Sequence, residues 1–174
     1  MKNNMKKLFI ISTILLSTHL FSQTIIENKV DEFTKDTIKR SSWEKWIYSF
    51  TNGTGYYSIL EQNGIKYLNL KYGNDSVFSI NKDDKLMFQL ENGEIITLYN
   101  QEFTITCTGC GAYNFLGSKA EGINVYYKLS DENLKKLKEG TIVKVRLYTS
   151  KNYMEFKIKK KYSMKFKKSL DLFD

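Results

Sequence analysis

The chain of 174 residues has no proline, one histidine and two cysteines. Each scarcity excludes something. Without proline there is no cis-proline turn and no proline-stiffened linker. The single histidine, His19, lies in the opening segment MKNNMKKLFIISTILLSTHLFSQ. If that segment is removed, no imidazole remains for Ser-His-Asp or Cys-His catalysis, for a general base or for metal ligation. Two cysteines cannot build a Cys₄ zinc site, and without histidine they cannot build Cys₂His₂. Long apolar runs are also missing. The longest, Leu8 to Leu16, falls well short of the ~20 residues that span a bilayer. No glycine-rich phosphate loop occurs, and neither Gly73-Asn74-Asp75 nor Asp83-Asp84 fits a calcium loop. No cofactor is expected.

That opening segment has the layout of a secretory leader. Lys2, Lys6 and Lys7 form a basic start, a short apolar run follows, and small Ser17 and Ser22 precede Gln23. Residues 1–22 are expected to be a cleaved signal peptide, resembling those of Gram-negative bacteria. The product would be periplasmic or extracellular and not an integral membrane protein. No cysteine follows the cut to carry a lipid. Removing three lysines and no acid lowers the net charge from +8 to +5. Residues 23–35 read as a polar N-terminal arm and 36–174 as one β-rich domain. No repeat or linker divides it.

The body is written in short alternating strands. Asn63-Gly64 and Asn92-Gly93 are hairpin signals, because a type I′ turn needs φ > 0 at both central positions. Period-2 alternation puts Tyr57, Ile59, Leu68 and Leu70 on one face, and Leu86, Phe88, Leu90 and Ile95 on another. A last hairpin turns at Thr149 to Asn152, with Val143, Val145, Leu147, Met154, Phe156 and Ile158 inward and Ile142 outward. Two helices interrupt. Ser130 caps DENLKKLKE, Leu129 and Leu134 make a hydrophobic staple, and Gly140 ends it. Phe166, Leu170 and Phe173 form one stripe on a C-terminal helix. The expected fold is mainly β: an antiparallel β-sandwich or curled meander with a short helix at about 131–139 and a C-terminal helix at about 163–173.

Chemistry concentrates in ITCTGCGAYN. Cys107 and Cys110 lie three apart. In an oxidising compartment they are expected to form a disulfide, with Gly109 giving the chain freedom to turn. A thioredoxin-type centre would need a helix after the pair and a cis-proline beside it. GAYNFLGSKAEG has no helical stripe, so the bond reads as a clamp rather than a reagent. The clamp sits at the base of a long irregular stretch, Thr108 to Gly122, and long loops in compact domains are often binding loops. Thr108, Gly109, Tyr113, Asn114 and Phe115 are its candidate contacts. A second candidate surface is basic. Residues 151–168 carry eight lysines against one acid, and Lys157, Lys159, Lys160, Lys161, Lys165, Lys167 and Lys168 could meet an anionic glycan, a lipid surface or an envelope protein. No nucleic-acid motif is present.

The leading expectation is therefore an exported, non-enzymatic binding or structural β-domain. The alternatives are a thiol-disulfide protein using Cys107 and Cys110, and a hydrolase using two carboxylates about 5–9.5 Å apart.

Overall fold

A computed structural model describes residues 23–49, 53–74, 76–110 and 121–173. The expected leader and the loop positions Tyr113, Asn114 and Phe115 lie outside the described residues.

The described residues are mainly β, with antiparallel sheets and two helices, one of them C-terminal. The strands are β1 (Ile25–Val30), β2 (Thr37–Ser41), β3 (Glu44–Ser49), β4 (Gly53–Gln62), β5 (Ile65–Asn74), β6 (Ser79–Ile80), β7 (Lys85–Leu90), β8 (Ile95–Tyr99), β9 (Thr104–Ile105), β10 (Cys107–Thr108), β11 (Glu121–Leu129), β12 (Ile142–Thr149) and β13 (Asn152–Lys157). Helix α1 is Asp131–Glu139 and helix α2 is Lys160–Asp171. One sheet runs β1-β2-β4-β5-β11-β10, with β3 also paired to β4. A second runs β13-β12-β7-β8, and β6 and β9 form a small ribbon.

The β4–β5 hairpin is built as its turn signal demands. Asn63 and Gly64 take φ of +51° and +76°, the left-handed pair of a type I′ turn. Direct pairing then sets Tyr57 against Leu70 and Ile59 against Leu68, all four fully buried. The Asn92-Gly93 turn differs. Only Gly93 has positive φ, and its N–H donates to the Leu90 carbonyl at 3.0 Å. That is a type I turn closed by a left-handed glycine, which adds a residue to the loop. The extra residue shifts the partner strand by one. Phe88 faces Ile96 and Leu86 faces Leu98 in the core, while Ile95 is 47% exposed. The expectation that Ile95 faces inward is thereby corrected. A bulge between Ile142 and Lys144 has the same effect on β12, burying Ile142 and leaving Val143 half-buried.

Two further differences concern the ends. Residues 25–30, read as part of a polar arm, pair with β2 as an edge strand. Helix α2 begins at Lys160, three residues before the expected Ser163. Ser163 instead lies inside the helix, where its Oγ accepts the Ile142 N–H at 2.8 Å. Helix α1 follows its sequence signals, with Ser130 accepting from the Asn133 N–H and Leu129 and Leu134 buried together.

The two main sheets and α2 enclose one core. Phe166 stacks on Trp46 at 5.0 Å and 5° and meets the edge of Tyr57 at 5.0 Å, and Phe88 stacks with both Trp46 at 5.4 Å and Phe166 at 6.2 Å. Aromatic contacts of this kind add about 0.5–1.5 kcal/mol each beyond area burial. Truncating Phe166 to Ala would cost about 3–5 kcal/mol.

Candidate ligand-binding face

The cysteine pair is a local clamp. Cys107 and Cys110 are disulfide-bonded with Cα atoms 5.4 Å apart, within the range such bonds require. The Cys110 N–H closes a turn onto the Cys107 carbonyl at 3.1 Å, and Gly109 sits at φ +80°, a conformation that favours glycine. Cys107 and Thr108 form the two-residue strand β10 against Glu121 and Gly122 of β11. The exposed Thr108 hydroxyl donates to Glu121 at 2.9 Å.

The lysines divide into two groups. Lys165 is paired with Glu44 at 3.1 Å, and Lys167 donates to the Glu139 carbonyl at 2.9 Å. These two dock α2 onto β3 and α1. Lys157, Lys159, Lys160, Lys161 and Lys168 are exposed. Three of them, Lys159 to Lys161, crowd the start of α2, where no side chain caps the helix and no acid offsets its dipole.

An open hollow of about 330 Å³ lies on the outer side of the four-stranded sheet, lined by Met87, Gln89, Ile95, Lys144, Arg146 and Glu155. Its charges already answer one another. Glu155 binds Arg146 at 2.7 Å and Lys144 at 3.0 Å. Its carboxyl pKa is lowered by hydrogen bonds from Arg146 and then Lys144. Glu27, Asp31 and Glu132 are likewise pulled below their ordinary values, by lysine, by backbone N–H groups and by Lys136 respectively. A general acid needs the opposite shift. No group of three or more His, Cys, Asp or Glu that could hold a metal occurs among the described residues.

The outer face of the seven-stranded sheet is different. Leu68 and Leu70 point into the core, so Asn69 between them points away from it. Its register partners are Ser58 on β4 and Tyr126 on β11. Directly opposed Cβ atoms lie about 4.5–5.5 Å apart, so these three make one row. Asn69 and Ser58 are fully buried, yet among the described residues neither amide atom of Asn69 nor the Ser58 hydroxyl has a hydrogen-bond partner. In the next row Tyr56, Lys71 and Asn124 stand in register, and Asn124 Oδ1 is also buried without a partner among the described residues. On the other side Arg40, Leu60, Tyr67 and Lys128 are aligned. The β2–β3 edge breaks at Ser42-Trp43, and the Lys71 ammonium lies 4.5 Å from the Trp43 ring. Burial, and then the like charge of Arg40, lowers the Lys71 pKa. Arg40 also holds Glu27 at 3.2 Å.

The inward leucines dominate the alternation of YLNLKY, and the face lies on its outward half. The signal was present: an asparagine, poorly suited to strands, sits at the centre of β5. Comparison with known proteins finds no matching family, curated protein or solved structure. No helix among the described residues is long and apolar enough to cross a membrane.

Proposed function

We propose that the protein is an exported, non-enzymatic binding domain whose ligand surface is the outer face of the seven-stranded sheet. The observation that carries this reading is Asn69. A buried amide lacking partners costs about 1–3 kcal/mol, and natural folds rarely tolerate one without a use. Here the amide, the Ser58 hydroxyl and Asn124 Oδ1 gather on adjacent strands. A bound molecule supplies the partners that the chain does not. The leader expected at residues 1–22 and the Cys107–Cys110 bond suit an oxidising compartment.

The test is a binding screen of wild-type protein and Asn69→Leu against immobilised saccharides, peptides and lipids. Binding that the wild type shows and the variant loses supports the reading. Ligands bound equally by both would place the surface elsewhere, with the five exposed lysines the next region to mutate.

A further inference from the structure

The chemistry of the unmet groups narrows the ligand. Resting on the reading above, we propose that the Ser58–Asn69 row and its flanks form a subsite for one acidic sugar unit, a pyranose ring bearing a carboxylate.

Three features converge on that class. First, the site holds unmet acceptors as well as donors. Asn69 offers both kinds of atom, so its assignment does not depend on which way the amide is turned, and Asn124 adds a carbonyl oxygen. A simple inorganic anion brings mainly acceptors and would leave these oxygens unanswered, whereas sugar hydroxyls donate and accept. Second, cations flank the row on both sides. Lys71 is next to Asn69 along the same face and Arg40 stands in the row on the other side of Asn69; burial, and then the Arg40 charge, lowers the Lys71 pKa. An anion between them offsets that like-charge effect, and among the described residues Arg40 has a carboxylate partner, Glu27, whereas Lys71 has the Trp43 ring. Third, Tyr67 and Tyr126 border the amide. Aromatic faces with a polar tip suit the apolar face and hydroxyl rim of a pyranose. The half-buried Lys71 ammonium, 4.5 Å from the Trp43 ring, would exchange that contact for one with the ligand carboxylate.

The experiment is calorimetric titration of the purified protein with tetragalacturonate, with a neutral tetrasaccharide and with sodium phosphate. The variants are Asn69→Leu, Ser58→Ala and Lys71→Met, and exposed Lys168→Met is the control. The expected result is that tetragalacturonate binds at least about tenfold more tightly than the neutral sugar. Lys71→Met and Asn69→Leu each weaken it about tenfold or more, Lys168→Met leaves it unchanged, and phosphate does not displace it. Ser58→Ala stands in for Asn69→Leu if that variant does not fold. Equal binding of the acidic and neutral sugars, displacement by phosphate at matched concentration, or equal losses in Lys168→Met and Lys71→Met would each overturn the acidic-sugar assignment. So would an absence of tetragalacturonate binding. In those cases the ligand-face reading survives if the binding screen still finds a ligand that Asn69→Leu loses. Tetragalacturonate binding indifferent to all three site variants overturns both.

Discussion

The Tyr57 hydroxyl and Ser169 Oγ lie 3.2 Å apart in the core, joining the seven-stranded sheet to helix α2 across 112 residues of chain. Burial raises the Tyr57 pKa well above its ordinary value, so the phenol stays protonated and available to donate. The two ends of the bond are not equivalent. Ser169 also donates to the Lys165 carbonyl within its own helix at 3.2 Å, whereas Tyr57 has no second partner of that kind among the described residues. Ser169→Ala therefore orphans a buried phenol and is expected to cost about 1–3 kcal/mol. Tyr57→Phe leaves the serine bonded and is expected to cost about 1 kcal/mol or less. Urea unfolding of the two single variants and the double variant checks this. A double variant no less stable than Tyr57→Phe alone is the expected pattern; equal costs for the two singles would contradict the asymmetry.

Gly140 is glycine for a reason other than the one its position suggests. A helix-ending glycine usually adopts a left-handed conformation, but Gly140 has φ −79° and ψ 161°, which any residue adopts. A Cβ added there would stand 2.3 Å from Leu90 Cδ1, and Leu90 is 2% exposed. Gly140→Ala is thus expected to destabilise by about 1–3 kcal/mol through overpacking. Leu90→Ala, itself costing about 2–5 kcal/mol, makes the room, so the double variant should lose clearly less than the sum. Additive costs in thermal unfolding would mean that the glycine is needed for its backbone after all.

The Cys107–Cys110 bond closes so small a loop that chain entropy assigns it only about 2 kcal/mol. Its strand β10 touches β11 at two residue pairs alone. Replacing both cysteines with serine is expected to lower the melting temperature by a few degrees and to leave far-UV circular dichroism unchanged. Measured against glutathione, the bond is expected to have a potential below about −300 mV, as structural disulfides do. A reversible potential between about −120 and −270 mV, with disulfide-reductase activity, would favour the thiol-active alternative instead.

Much of this architecture could be read from residues because local chemistry decided it. Ser130 with Asn133, and Asn63 with Gly64, each need only near neighbours to define a cap or a turn. What the pattern hid was set at a distance. The fate of Ile95 depended on one extra residue in its turn, and a period-2 pattern has no tolerance for a shift of one. The pairing of 25–30 depended on β2, whose side chains gave little apolar signal to announce an edge strand. The candidate face was hardest of all. Ser58, Asn69, Lys71 and Arg40 come from three strands, and nothing in the spacing says that Ser58 opposes Asn69 or that both would be buried without partners.

The Lys71 ammonium ties the candidate face to pH. Its pKa in the folded protein lies below the ordinary 10.5, through burial first and the Arg40 charge second. Between that lowered value and 10.5 the unfolded chain binds more protons than the folded one, so Lys71 makes folding more favourable as pH climbs through this window. A carboxylate bound beside it acts in the opposite sense. It favours the charged amine and raises its pKa, so the complex holds a proton that the free protein has begun to lose. Affinity for tetragalacturonate is therefore expected to stay level near neutral pH and to fall as pH rises through the lowered pKa of the free protein. Binding in that window should take up protons, visible as a calorimetric enthalpy that changes with the ionisation heat of the buffer. In Lys71→Met both effects should disappear, leaving a weaker and flatter profile. A wild-type affinity that declines with pH no more steeply than the Lys71→Met affinity would remove Lys71 from the site.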